Sequence, residues 1–113
     1  MATLFTKIIN GEIKGTILHQ DDQCVAFLDI QPQAPQHVLV VPVKEIPSLA
    51  HATAADQQLL GHLLLTAAQV ARQLGVADSG YRLVINTGRN GGQTVDHLHI
   101  HLLGGRALVW PPG

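Results

Sequence analysis

The chain has 113 residues, which is the usual size of one domain and is long enough to bury a single core. Hydrophobic residues make up 46%, charged residues 13% and the formal net charge is −1. This composition argues against a disordered chain, and the scattered Lys and Arg residues argue against a surface for a nucleic-acid polymer. We find no run near the roughly 20 apolar residues that cross a bilayer. The single cysteine rules out an internal disulfide, and we expect one cytoplasmic domain over residues 1–113 with no membrane partner.

The first half of the chain predicts a short helix followed by three strands. Phe5 and Ile8 stand at helical spacing before Asn10-Gly11, a sequence typical of a helix C-terminus. Proline-containing residues 30–36 favour a loop, because proline has no backbone N–H to donate. The β-prone runs on either side of Asp21-Asp22 and after this loop predict strands over residues 16–19, 24–28 and 37–43.

The second half predicts one long helix and two more strands. Thr53 and Asp56 resemble a capping box, apolar residues then repeat at three- and four-residue steps, and Gly75 ends a helix over residues 53–74. The apolar stripe is wide enough to cover a sheet and also to meet a second copy of the chain. With strands over residues 81–86 and 96–103, the order predicts an α+β fold, an antiparallel five-stranded sheet with one long and one short helix.

The last predicted strand carries three histidines that alternate with aliphatic residues. Successive side chains of a strand point to opposite faces, so His97, His99 and His101 are expected on one face and the aliphatic residues on the other. Imidazole has an unperturbed pKa of about 6.5, close to neutrality. Glycine pairs at residues 91–92 and 104–105 flank the row, and glycine lets backbone N–H groups approach a phosphate closely. The pattern indicates a reaction site rather than an ordinary polar strand face.

Two chemistries remain open for this row. A metal could be shared by His97 and His99, but His97 and His101 would stand roughly 13 Å apart on a strand, so a three-histidine site would need another ligand such as His37. The alternative is attack of a neutral imidazole on phosphorus, with one ring nitrogen free and the other holding its proton in a hydrogen bond. We favour the second chemistry, without a metal, and expect the middle residue, His99, to be the nucleophile.

The remaining histidines and the cysteine give no sign of a site. His19, His51 and His62 each stand alone in a turn or helix, without a partner nearby in the sequence. Cys24 lies in an apolar run and is expected to be a small buried hydrophobic residue.

Residues 97–103, His-Leu-His-Ile-His-Leu-Leu, resemble the histidine-triad (HIT) motif, in which histidine alternates with hydrophobic residues. The flanking sequences are similar to those of the Hint branch, the histidine-triad nucleotide-binding proteins. This similarity extends over nearly the whole chain, at residues 29–37, 40–42, 91–95, 104–106 and 110–113.

The resemblance implies a homodimer whose sheet continues across both subunits. It also implies hydrolysis of a small-molecule nucleotide, a purine nucleoside 5′-phosphoramidate (AMP or GMP type) or an aminoacyl adenylate, without a cofactor. His99 would form a nucleotidyl-histidine intermediate at the α-phosphorus, while His101 and Asn86 would contact phosphate or leaving-group oxygens. His37 and His97 would support the row.

The resemblance also implies a set of nucleotide-binding residues. Asp29 would accept hydrogen bonds from the ribose hydroxyls, Thr94 would offer a hydroxyl beside the Gln93 backbone, and Trp110 would lie near the site of the partner subunit. The base would lie in an apolar slot formed by Phe5, Ile8, Phe27 and Ile30. Two further residues of the binding loop are Gly92 and Val95.

The sequence departs from the family pattern at two positions. Thr94 stands where serine is usual, and its additional methyl group restricts the side-chain rotamer. Asp96 stands where an aromatic residue is common and points away from the histidines in a regular strand. Two alternative functions remain, a dinucleoside polyphosphate hydrolase and a zinc-binding or nucleotide-sensing regulator.

Overall fold

A computed structural model describes residues 3–113. Seven helices and strands follow in chain order, α1 (Leu4–Ile9), β1 (Ile17–Gln20), β2 (Cys24–Leu28), β3 (Gln36–Pro42), α2 (Gln57–Gln73), β4 (Tyr81–Val84) and β5 (Ile100–Gly104). Two single-turn 3-10 helices, Leu49–His51 and Ala54–Asp56, precede α2. Within residues 3–113, no helix combines the length and apolarity needed to cross a membrane.

The five strands form one antiparallel sheet in the order β1-β2-β3-β5-β4, which confirms the predicted α+β architecture. Strand β3 lies at the centre and pairs with both β2 and β5. Its register sets Leu39 opposite Phe27 on one side and opposite His101 on the other. Directly opposed residues share a face of the sheet, so these three side chains form a row across it.

The sheet is buried on both faces, because each face packs against one helix. Leu63, Ala67 and Val70 of α2 belong to the α2-side core, which also contains Cys24, Ala26, Val38, Val40 and Leu102. Phe5 and Ile8 of α1 belong to the α1-side core, which also contains Val25, Phe27, Leu39 and Val41. Alternate residues of β2 and β3 therefore enter different cores, which explains why both strands are almost continuously hydrophobic.

The long helix begins through the predicted capping box. The Asp56 carboxylate accepts the Thr53 backbone N–H at 2.9 Å, and the Thr53 hydroxyl oxygen accepts a backbone N–H of the first turn. This turn is a 3-10 helix, so the regular α-helix starts at Gln57 rather than at Thr53. Gly75 follows its end with a φ of +76°, a conformation that glycine adopts without a steric penalty.

The prediction for the last strand was wrong at its beginning, because β5 starts at Ile100 and not at Asp96. The Leu98 N–H donates to the Ile46 carbonyl at 2.7 Å, so the preceding segment bonds to a loop instead of to a neighbouring strand. Of the three alternating histidines, only His101 lies on a strand. The alternation in burial persists through both segments, since the α2-side core contains Leu98, Ile100 and Leu102.

Candidate active site

A cavity of about 340 Å³ lies between α1, the end of β2 and the segment before β5. This volume falls in the usual range for small-molecule sites. Its lining is mostly apolar, and Asp29, His99 and His101 are among its polar residues. The apolar lining includes Phe5, Ile8, Phe27, Leu39 and Val95. A larger recess of about 590 Å³ beside Ser48 and His51 is lined by none of the alternating histidines, so the smaller cavity holds the candidate chemistry.

His99 is buried and held by one strong hydrogen bond. Its Nδ1 lies 2.7 Å from the His97 carbonyl oxygen, which can only accept, so Nδ1 carries the proton. The lone pair of the neutral ring is therefore on Nε2. Among residues 3–113 no hydrogen bond reaches this Nε2 and no buried polar side-chain atom lacks a partner, so Nε2 faces the open cavity. The Phe5 ring packs edge-on at 4.8 Å between centroids and fixes the imidazole in place.

His101 has the opposite tautomer, which a chain of hydrogen bonds assigns. The Gln33 backbone N–H donates to His37 Nδ1 at 3.0 Å, so neutral His37 carries its proton on Nε2. His37 Nε2–H donates in turn to His101 Nδ1 at 2.9 Å, which leaves the proton of His101 on Nε2. The rings of His99 and His101 lie 4.9 Å apart. The cavity thus receives one imidazole acceptor and one imidazole donor.

The surroundings keep these three imidazoles uncharged near neutral pH. Burial lowers the pKa of His37 and His99, although the Asp29 carboxylate partly counteracts this. Burial together with the neighbouring His99 and His37 lowers the pKa of His101 to about 4. A neutral ring is the form in which His99 can act as a nucleophile.

His97 is fully buried and anchors the segment that orients His99. Its Nε2–H donates to the Pro42 carbonyl at 2.8 Å, and its Nδ1 accepts from the Thr3 hydroxyl at 3.2 Å. Because the backbone carbonyl of the same residue holds His99, this anchor fixes the direction of the His99 ring. The contribution of Thr3 could not be found from the sequence, because it lies 94 residues away and carries no motif.

The loop before the histidines uses its own polar side chains for support. Asn86 Nδ2 donates to the Gly91 carbonyl at 2.7 Å. Gln93 Nε2 donates to the Pro47 and Val95 carbonyls, and Gln93 Oε1 accepts the Gly88 N–H. Thr94 and Val95 line the cavity, whereas Asn86, Gly92 and Gln93 are not among its lining residues.

The rim of the cavity contains further residues of the predicted site. Asp29 Oδ1 accepts the Gln31 N–H at 2.9 Å, which orients the carboxylate, and Ile30 beside it is 84% exposed. Trp110 is 82% exposed and does not line the cavity of its own chain. Sequence reasoning missed Lys14 and Leu39, which also line it. Of these two, only Leu39 had a signal in the sequence, because it lies two residues after His37 on β3 and a strand places both side chains on the same face.

One part of this site has the donors for a metal ion. Donor atoms of Asp29, His37 and His101 all lie within 4.8 Å of one another. From the sequence, a metal site here was expected to need a further ligand such as His37, and His37 is one of these three residues. The bond from His37 to His101 uses two of these donor atoms, so the neutral proton arrangement and a metal are alternatives at this point.

A second group of titratable side chains lies at the turn between β1 and β2, where the sequence indicated no site. We call it the Asp21 cluster, and it consists of His19, Asp21, Cys24 and His62. Neither histidine was expected to have a partner nearby in the sequence. This is wrong for His19, whose Nε2 lies 2.8 Å from Asp21 Oδ2, whereas the His62 Nε2 reaches the same oxygen at 2.7 Å from a distant part of the sequence. His62 is 41 residues from Asp21 in sequence and reaches it only because α2 packs over the hairpin. His51 also has a local partner, the Ser48 hydroxyl at 2.8 Å.

The protonation of Asp21 shows how strongly this cluster is bonded. Burial raises the pKa of Asp21, but hydrogen bonds from His19, from two backbone N–H groups and from His62 outweigh it. The net effect holds the pKa well below the usual value of 3.8. Cys24 is fully buried in the α2-side core, as its apolar surroundings predicted.

Comparison with known proteins identifies the family. Residues 10–108 match the HIT domain. The chain is 60% identical over 111 residues to an uncharacterized HIT-like protein of Synechococcus elongatus, covering 98% of this chain and 96% of that protein. It is 51% identical over 106 residues to the purine nucleoside phosphoramidase of Escherichia coli, and the match covers 94% of this chain and 89% of that protein. The structure of a HIT family hydrolase from Legionella pneumophila Philadelphia 1 superposes with a TM-score of 0.97 at 46% sequence identity. The superposition covers 99% of this chain and 100% of that one.

These matches show that the chain belongs to the HIT domain family, which confirms the resemblance carried by the alternating histidines. The aligned region includes both the sheet and the cavity-lining segments, since it covers nearly the full length of this chain and of these two relatives.

Proposed function

We propose that this protein hydrolyses purine nucleoside 5′-phosphoramidates to a nucleoside monophosphate and an amine. The observation that carries the proposal is the pair of opposite tautomers in one cavity, with a free lone pair on His99 and an N–H donor on His101. The 51% identity to a protein named purine nucleoside phosphoramidase supports this choice of substrate.

The first step is attack of the His99 Nε2 lone pair on the α-phosphorus. A phosphorus–nitrogen bond to the protein forms, and the bond from phosphorus to the amine breaks. The amine keeps the bonding pair and takes up one proton from solvent. His101 donates its Nε2–H to a phosphate or leaving-group oxygen or nitrogen, which stabilises the charge that develops there.

The second step is attack of water on the same phosphorus. The bond to His99 breaks, the nucleoside monophosphate leaves, and the proton consumed in the first step returns to solvent. The His97 carbonyl supports both steps, because it holds the Nδ1 proton of His99 while the ring is positively charged.

The rest of the cavity has suitable surfaces for a nucleoside. Phe5, Phe27 and Leu39 offer an apolar surface to a purine ring, and their rigidity follows from the sheet register and from the T-shaped contact of the two phenylalanines at 5.7 Å. The second carboxylate oxygen of Asp29 lies 3.4 Å from His37 Nε2 and keeps a lone pair at the rim to accept from ribose hydroxyls. Thr94 also lines the cavity and brings a hydroxyl to it.

Trapping the intermediate tests this function. We expect mass spectrometry of protein quenched during turnover of adenosine 5′-phosphoramidate to find one nucleotidyl group, located on His99, with turnover unaffected by EDTA. A His51→Ala variant serves as the control and should form the same adduct. An adduct on another residue would exclude His99, and loss of turnover in EDTA would favour a zinc hydrolase. Faster cleavage of dinucleoside polyphosphates would favour the other hydrolase class.

The predicted homodimer is part of the same proposal. Strand β4 is an edge of the sheet, and an unpaired edge can add a strand from another chain. Leu64 and Leu65 of α2 are 45% and 72% exposed, which suits a second copy packed on the helix. Sedimentation analysis should show a dimer that Leu65→Asp dissociates and that Val43→Asp, at another exposed apolar residue, leaves intact. A wild-type monomer would contradict this.

A further inference from the structure

The Asp21 cluster lies on the sheet face opposite the cavity. Cys24 belongs to the α2-side core and its Sγ lies 3.7 Å from the Thr66 hydroxyl of α2, whereas His99 packs against Phe5 of the α1-side core. The cluster therefore joins the β1–β2 hairpin to the middle of α2. It takes no part in the hydrolysis proposed above, so it requires a separate explanation.

The carboxylate of Asp21 is fixed by its backbone surroundings. Its Oδ1 accepts the N–H groups of Gln23 and Cys24, both at 2.8 Å. These two bonds give both backbone N–H groups of the tight turn an acceptor. They also direct Oδ2 toward the imidazoles of His19 and His62. Carboxylates that ligate metals are oriented by such hydrogen bonds from neighbouring groups.

The atoms that meet at Oδ2 are metal donors of three kinds. His19 Nε2, Asp21 Oδ2 and Cys24 Sγ all lie within 4.8 Å of one another, and His62 Nε2 lies 2.7 Å from the same Oδ2. Two imidazoles, a carboxylate and a thiol make four donors, the number that Zn²⁺ takes in closed tetrahedral sites.

The distances around Asp21 Oδ2 are close to those of a zinc site, but only the donors of His19, Asp21 and Cys24 all lie within 4.8 Å of one another, so the His62 ring has to move toward the other two ligands. At the usual zinc bond lengths, neighbouring tetrahedral donors are separated by roughly 3.3–3.5 Å. The Sγ–Oδ2 distance is 3.7 Å, and the two nitrogen–oxygen distances of 2.8 Å and 2.7 Å would open by about half an ångström. The histidine side chains are 22% and 33% exposed, so they have room to make this movement.

We propose that the Asp21 cluster is a zinc-binding site that links the β1–β2 hairpin to α2, with His19, Asp21 and Cys24 as its centre and His62 as the fourth ligand. On binding, each imidazole moves its hydrogen from Nε2 to Nδ1 and offers the Nε2 lone pair. The thiol of Cys24 releases its proton to solvent as the zinc–sulfur bond forms. The site is independent of the proposed hydrolase.

Metal titration of the metal-free full-length chain tests the site. We expect one tightly bound Zn²⁺ per chain, measured by competition with a chromogenic chelator, and a rise of the melting temperature on binding. His19→Gln should weaken binding at least tenfold and remove the rise in melting temperature. Substitution with Co²⁺ should give a thiolate-to-cobalt charge-transfer band in the near ultraviolet, which Cys24→Ser removes.

Two matched variants separate this site from other histidines. His51→Gln removes a histidine outside both clusters, and His37→Gln removes the group of Asp29, His37 and His101 that could also hold a metal. Both should bind Zn²⁺ and show the cobalt band as the wild type does. Absence of stoichiometric zinc, equal affinity in His19→Gln, or loss of binding in His37→Gln would overturn the proposal. A folded wild type without the cobalt band would exclude Cys24 as a ligand.

Discussion

The two faces of the sheet each carry a histidine cluster, and the clusters differ in where their imidazole protons are held. The cavity cluster consists of Asp29, His37, His99 and His101. In it, His99 donates its proton to a backbone carbonyl and His37 donates to the His101 ring, while the Asp29 carboxylate stands farther off, at 3.4 Å from His37 Nε2. In the Asp21 cluster both imidazoles face one carboxylate oxygen. The first arrangement leaves a lone pair on His99 facing a cavity, and the second leaves no Nε2 lone pair free.

This difference shows that the partner of a histidine decides its chemistry more than its proximity to other histidines does. A carbonyl partner selects one tautomer and leaves the ring neutral, which suits nucleophilic attack. A carboxylate partner attracts protons or metal ions to the ring nitrogen, which suits binding and stabilisation. Each of the following predictions tests this contrast.

The largest effect is expected from removal of the proposed nucleophile. His99→Ala should lower kcat/KM for adenosine 5′-phosphoramidate by on the order of 10⁴-fold or more, because the covalent route is lost. The same change at His62, on the other face, should leave kcat/KM within a few-fold of wild type. Steady-state kinetics on folded protein, verified by circular dichroism, measures both. Comparable losses in the two variants would contradict the separation of roles.

The next effect is expected from the donor in the cavity. His101→Ala should lower kcat by about 10²- to 10³-fold, the usual cost of losing one transition-state hydrogen-bond donor. His101→Gln keeps an N–H group and should recover part of this loss. The loss should grow with the basicity of the leaving amine, because a poorer leaving group needs more stabilisation. A loss independent of the amine would place His101 in substrate binding alone.

A pair of isosteric changes compares the two carboxylates. Asp21→Asn weakens four hydrogen bonds and should lower the free energy of unfolding by about 1–3 kcal/mol in metal-free buffer, with kcat/KM nearly unchanged. Asp29→Asn should instead raise KM with little loss of stability, because its second oxygen faces the rim of the cavity. Urea unfolding and kinetics on both variants measure the contrast, and exchanged phenotypes would refute it.

The smallest effect is expected in the acid dependence of stability. His101 has a folded pKa of about 4, below its unfolded value of 6.5, so the unfolded chain binds more protons between these values and stability falls as pH drops through that window. Asp21 also has a lowered pKa, so its contribution is present above about 3.8 and is lost only at lower pH. The midpoint of urea unfolding, measured from pH 7 to 3, should fall less between pH 6.5 and 4 in His101→Gln than in the wild type. In Asp21→Asn the fall over this pH range should be unchanged.

The element types and much of the cavity were accessible from the sequence. Hydrophobic spacing and the Thr53 capping box predicted α2, and the alternation after Asp96 predicted which side chains of that segment enter the core. The boundary of β5 was not accessible, because it depends on the bond from Leu98 to the Ile46 carbonyl in a distant loop. Leu39 was overlooked for the same kind of reason, since its place in the cavity follows from its register with Phe27 and His101.

The sequence by itself determined the α+β fold and the row of alternating histidines, because periodicity and motif spacing are local properties of the chain. Only the tertiary structure decided which nitrogen of each histidine holds a proton. It did so through partners far away in sequence for His101, which meets His37, and for His62, which meets Asp21, and through the local backbone for His99, whose partner is the His97 carbonyl. Hydrogen bonds act over about 3 Å, so the tautomers are assigned only after the sheet and α2 have brought these residues together.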